Sequence, residues 1–218
     1  MSVSILFLLL AIALTVWWMV AQRLTEKPWL ATGDVLIADG PPRPTRLIGL
    51  GLFMAVVTSL FALITSAYFM RMELADWRPA PEPTILWINT GILIGASIAF
   101  QQVRRSVVQG TLAALRLALI IAGALSLAFI AGQFLAWQQL AAGGHGVQGS
   151  PASAFFHLIT GLHALHLAGG LWVWLRTLTR LTGDADIARL RLAIELCTVY
   201  WHFLLLIWLA MFALLLAT

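Results

Sequence analysis

The stretch Phe155–Gly170, FFHLITGLHALHLAGG, decides how this chain folds. Apart from three histidines and one threonine it contains only apolar and small residues, so it reads as a segment soluble in a bilayer. Such a segment spans the hydrocarbon core as a helix, which satisfies every backbone N–H and C=O within itself. Histidine can enter neutral, but ionisable groups at bilayer depth face protein or a cavity rather than lipid. His157, His163 and His166 therefore predict a helix packed against other helices. A second stretch of the same kind, ELCTVYWHFLLLIW (195–208), follows after one short loop.

The rest of the chain repeats the pattern. Of 218 residues, 61% are hydrophobic and only 10% charged, with mean hydropathy +0.93, which leaves no room for a sizeable soluble domain. Apolar runs at 3–22, 47–70, 84–103, 112–137, 153–175 and 192–216 predict an all-α polytopic membrane protein with six transmembrane helices. The breaks are ADGPPRPTR (38–46), DWRPAPEP (76–83), AAGGHGVQGSP (141–151) and TGDAD (182–186), where proline and glycine stop helices. The first run lacks a basic flank and a small-residue cleavage site, so it is expected to be a retained span, not a signal peptide. Residues 1–46 then form an N-terminal helix with its loop, and 47–218 a five-helix bundle.

Charge sets the expected orientation. Arg23, Lys27, Arg43, Arg46, Arg104, Arg105, Arg116, Arg176, Arg180, Arg189 and Arg191 follow the first, third and fifth spans. Of the 13 basic residues only Arg71 and Arg78 fall on the other side. The positive-inside rule places the richer side in the cytoplasm and both termini outside. The formal charge of +4 lies in loops beside apolar spans, so the membrane surface accounts for it and nucleic acid does not. Trp17, Trp18, Trp77, Trp87, Trp137, Trp172 and Trp174 lie near span ends and read as interfacial anchors.

Few residues are left to carry chemistry. His163 and His166, three apart, share a helix face, while His157 lies on the opposite side from His166. They could ligate a metal or haem, or hydrogen-bond to neighbouring helices and lipid. A metal needs three or four convergent ligands, and the only other histidine within a span is His202. Glu195 could serve a proton path or accept a hydrogen bond, with Arg191 one turn before it. Cys197 is the one cysteine, which excludes an intrachain disulfide and a cysteine-based cluster, and it reads as a small buried residue. Gly161, Ala164, Ala168, Gly169 and Gly170, with Gly49, Gly51, Ser59 and Ser66 on the second span, predict close helix approach. The chain shows no phosphate loop, no nucleophile–base pair and no cluster of intramembrane acids.

Several blocks together carry a resemblance. LITGLHALHLAGG (158–170), the Glu195-x4-Tyr200-Trp201-His202-Phe203 pattern, AYFMRMELADWRPAPEPTILWINTGIL (67–93) and GQFLAWQQL (132–140) resemble, in order and spacing, subunit III of the haem-copper (cytochrome c) oxidases, in a short, divergent bacterial branch. The resemblance covers the second to sixth spans. It implies a non-catalytic accessory subunit that binds no cofactor of its own. Haem and copper would lie in the partner oxidase subunits I and II, in a bacterial inner membrane, with phospholipid held in a cleft between helices. The complex would reduce O2 to water with electrons from cytochrome c and pump protons, this chain sustaining stability and proton uptake. His163, His166, Glu195, Tyr200, Trp201 and His202 would then form a structural and lipid-binding seam.

Two departures bear on that role. Many family members carry an acid within the helix matching the second span, where this chain has Val57, and another shortly after YWHF, where it has Leu205. Both changes weaken any part in conducting protons. The same subunit in a quinol oxidase, a related protein accompanying nitric oxide reductase, and a free-standing transporter or metal-binding protein are the competing readings.

Overall fold

The computed structural model describes residues 45–79, 81, 83–182 and 187–217. The first predicted span and the loop up to residue 44 lie outside them. Five helices follow in order: α1 Thr45–Met72, α2 Ile85–Gln109, α3 Leu112–Ala142, α4 Pro151–Thr182 and α5 Ile187–Leu216. Each is long and apolar enough to cross a membrane. The expected all-α membrane fold is what the described residues form, as one compact unit.

The helices overrun the apolar runs that predicted them, because their ends are set by turn chemistry and not by the last apolar residue. α2 continues past Arg104 and Arg105 to Gln109 and stops where Gly110 takes φ 71°. There the Gly110 and Thr111 N–H groups donate back to the Val107 and Ser106 carbonyls, the paired bonds of a glycine-terminated helix. α3 ends the same way at Gly144, φ 80°, with Gly144 and His145 donating to Ala141 and Leu140. α4 begins on a serine cap: the Ser153 N–H donates to Ser150 Oγ at 3.2 Å, and Pro151 occupies the first helical position, where its missing N–H costs nothing.

α2 and α3 pack most extensively, α5 packs on α2, α4 and α1, and α4 also contacts α3. In lipid these contacts gain little from the hydrophobic effect, so close packing and hydrogen bonds hold the helices together. Three buried or half-buried indoles show how. Trp208 Nε1 donates to Thr90 Oγ1 at 2.9 Å, Trp201 Nε1 to Ser126 Oγ at 2.9 Å, and Trp137 Nε1 to Thr160 Oγ1 at 2.9 Å. Each hydroxyl in turn donates to the carbonyl four residues back in its own helix: Leu86, Ala122 and Phe156. A fourth indole, Trp174, donates to the Leu119 carbonyl at 2.8 Å. Trp137 and Trp174, expected as interfacial anchors, therefore also fasten α3 to α4. Trp87 and Trp172 remain largely exposed.

Small residues make room for these rings. A Cβ on Gly123 would run into the Trp174 ring, and one on Gly132 into the Asn89 side chain. α1 is the least embedded helix. Among its described side chains only the narrow stripe Met54, Val57, Phe61, Thr65 and Tyr68 is buried, while Ile48, Leu52, Val56, Leu63 and Met70 face outward. Arg71 in the last turn of α1 and Asp76 just beyond it form a bidentate pair, and the guanidinium holds the Asp76 carboxyl below its usual range.

Thr90→Val should destabilise the bundle by about 1 kcal/mol, with a Trp208→Phe/Thr90→Val coupling of roughly 0.6–1.7 kcal/mol, read by thermal unfolding in detergent. Gly123→Ala should cost about 1–3 kcal/mol by overpacking against Trp174. The Asp76 carboxylate's contribution is present above its unfolded pKa and lost as pH falls through the lower folded value. Asp76→Asn should remove that acid-side loss from the melting profile.

Candidate functional site

α4 places its histidines against different neighbours. His163 is fully buried, its ring 5.7 Å from Phe129 of α3 and 5.2 Å from Trp208 of α5. Neither ring nitrogen has a hydrogen-bond partner among the described residues. The Trp137–Thr160 and Trp174–Leu119 bonds fix the antiparallel register of α3 and α4. That register sets Gln133 level with His163, and Gln133 Nε2 is likewise unpartnered. Gln133 Oε1 accepts from Asn89 Nδ2 at a long 3.5 Å. A polar row thus crosses α2, α3 and α4 inside the bundle.

His166 turns toward α1, its ring 6.2 Å from Phe53 and 5.7 Å from Phe61. Its Nδ1 bonds the Leu162 carbonyl at 2.7 Å. His157 and His202 do the same with Ser153 and Thr198, each at 2.8 Å. A carbonyl only accepts, so in all three Nδ1 is the donor. Tyr200 Oη donates across from α5 to the His166 carbonyl at 3.0 Å. Trp201 is fully buried against Phe100 and Ser126. Glu195 accepts from Arg191 Nε at 3.1 Å on the exposed first turns of α5. The six predicted residues therefore distribute over the interior, the α1-facing side and the end of the α4–α5 pair. Among the described residues, no three His, Cys, Asp or Glu side chains gather as a metal would need.

What His166 and Tyr200 do border is a cleft of about 510 Å³ between α1, α4 and α5. Leu50 and Phe53 form its α1 wall, and Gly169, Gly170, Cys197 and Trp201 line the opposite side. The paired glycines keep it open. A Cβ on Gly169 would meet nothing within 4 Å, whereas one on Gly170 would meet the Trp201 and Tyr200 rings at 2.9 Å. The walls are almost wholly hydrocarbon and aromatic. Such a cleft can hold an alkyl chain by dispersion and area burial, and it offers little to fix a polar solute.

Sequence reasoning assigned no role to Asn89, Thr90, Ser126 and Gln133, all buried, although all but Ser126 lie in the blocks that carry the resemblance. Their signal is a polar side chain inside an apolar run, the same signal that singles out the histidines. Gly123 and Gly132 were passed over too, because their partners come from other helices.

Comparison with known proteins places the whole described bundle in one family. The family model described as cytochrome c oxidase subunit III matches residues 46–217. The chain is 27% identical over 177 residues to a probable cytochrome c oxidase subunit 3 of Nocardia farcinica, covering 78% of this chain and 87% of that protein. It is 27% identical over 175 residues to cytochrome c oxidase subunit 3 of a Synechocystis species, covering 78% and 74%. A probable cytochrome c oxidase subunit 3 of Mycobacterium leprae is 28% identical over 175 residues, covering 78% and 87%.

Because His163 buries two unpartnered nitrogens, His163→Leu should leave stability unchanged or raise it. His163→Ala, which also opens a cavity, should lower it by roughly 3 kcal/mol. Thermal unfolding of the two variants side by side separates packing from polarity.

Proposed function

The chain belongs to the cytochrome c oxidase subunit III family, and we propose that it is the non-catalytic subunit III of a respiratory oxidase reducing O2 to water with electrons from cytochrome c. The observation that carries this reading is the family match along the entire described bundle, residues 46–217. Haem and copper belong to subunits I and II, and this chain supplies packing, lipid and support beside them. Its setting is the bacterial inner membrane, with both termini periplasmic and the basic loops in the cytoplasm.

The interior of the bundle supports the accessory role. A proton-conducting helix needs titratable groups or water at mid-depth. At the two positions where many relatives carry acids, this chain has Val57, buried in the α1 stripe, and Leu205. Support of proton uptake is then indirect: the bundle holds its neighbour and its lipid in place and does not itself carry the proton. The α1–α4–α5 cleft suits the lipid part of that task. Its apolar walls match acyl chains, and the Arg191–Glu195 pair on α5 ends directly before Leu196 and Cys197, which line it.

Purification in mild detergent through a tag on this chain should bring down haem-bearing partner subunits. Glu195→Ala should weaken assembly or sustained turnover while the haem spectrum of the purified complex stays unchanged, and Gly169→Leu should reduce co-purified phospholipid. A colourless chain recovered alone and active in transport would contradict the assignment, and so would loss of a haem band in a single variant.

A further inference from the structure

Away from that cleft, the outer face of α2 carries a pattern with a different chemistry. Gln101, Arg104, Arg105, Val108 and Gln109 recur at helical spacing and enclose a groove of about 290 Å³ at the end of α2. Neither arginine has an ion pair or hydrogen bond among the described residues. The two ion pairs found there belong to Arg71–Asp76 and Arg191–Glu195. Two guanidiniums one residue apart, flanked by two amides, present a fork of N–H donors that suits phosphate oxygens.

The helix on the membrane side of this groove is a track for alkyl chains. Ile94 and Ile98 are outward-facing on the same side of α2, at 40% and 59% exposure, and Gly91 below them has nothing within 4 Å of where a Cβ would stand. From Ile94 to Arg105 the helix rises about 16 Å, close to the depth of one hydrocarbon leaflet, about 15 Å. Val108 and Leu112, both exposed, flank the arginines beyond this depth, where interfacial side chains of mixed character belong. An unpaired cationic fork at headgroup level, with two amides at its edge and Ile94 and Ile98 exposed within one leaflet's depth, matches one ligand in both charge and length.

We propose that the outer face of α2 binds an anionic phospholipid, its acyl chains along Ile94 and Ile98 and its phosphate between Arg104 and Arg105. The site is separate from the α1–α4–α5 cleft and needs neither the assigned orientation nor the identity of the partner subunits. Its selectivity comes from charge: a zwitterionic lipid brings its own cation to the fork, and an anionic one does not.

The test uses the complex purified through this chain, placed in nanodiscs of phosphatidylcholine with added phosphatidylglycerol, with bound lipid counted by native mass spectrometry. Each guanidinium near the surface contributes about fivefold to anionic-lipid binding. Arg104→Gln/Arg105→Gln should therefore weaken phosphatidylglycerol retention by about thirtyfold. Arg104→Lys/Arg105→Lys should fall between the wild type and the glutamine variant, because the charge remains and the fork of donors is lost. Wild-type retention should fall as salt rises, and the preference for phosphatidylglycerol over phosphatidylcholine should persist in Gly169→Leu, which fills only the other cleft. Three results would overturn the proposal. The glutamine variant could retain phosphatidylglycerol as the wild type does. Added inorganic phosphate could displace the lipid, marking a site for free anions. The glutamine variant could shed a protein subunit with lipid counts unchanged, marking an acidic protein contact.

Discussion

The bundle depends on one repeated interaction: an indole N–H donating to a hydroxyl on a neighbouring helix, with that hydroxyl donating back into its own backbone. Lipid gives helices no hydrophobic reason to associate, and a buried indole N–H without an acceptor is costly there. Trp208 to Thr90 and Trp201 to Ser126 hold α5 against α2 and α3, and Trp137 to Thr160 holds α3 against α4. Since each hydroxyl is already committed to its i−4 carbonyl, its lone pair is aimed and the indole must come to it. These bonds fix rotation and register, whereas the apolar contacts around them would tolerate sliding.

Other features follow from that register. With Trp201 drawn toward Ser126, Tyr200 is left to reach the His166 carbonyl, and both rings press on Gly170 at distances only glycine allows. The cleft is the space that remains between this contact and α1. α1 touches the bundle through one stripe and leaves the rest of its surface outward, so the cleft is bounded on that side by the helix with the fewest internal ties. A groove with one loosely held wall adapts to an acyl chain more readily than a cavity inside the α2–α3 pair would.

Much of the helix count was legible in the sequence, because the bilayer demands about 20 apolar residues per crossing and proline or glycine between crossings. The ends were less legible: the apolar run of α2 stops before Arg104, yet the helix continues until Gly110 can take a positive φ. Side-chain partners were least legible. His163 and His166, three apart, read as one face, but that offset is about 60° around the helix. It is enough to send one ring to Phe129 and Trp208 and the other to Phe53 and Phe61. Trp137 and Trp174 read as interfacial anchors because anchoring and cross-helix bonding use the same residue type. Gly123 and Gly132 had no local signal, since the bulk they accommodate belongs to Trp174 and Asn89.

The role proposed for this chain is to give structure and lipid to an oxidase whose redox centres lie elsewhere. The most direct measurement is to strip the chain from the purified complex and compare the reduced-minus-oxidised spectrum and sustained O2 consumption with the intact enzyme. Unchanged haem bands with a faster decline in turnover are the predicted result. Disappearance of a haem band with the chain would contradict the account.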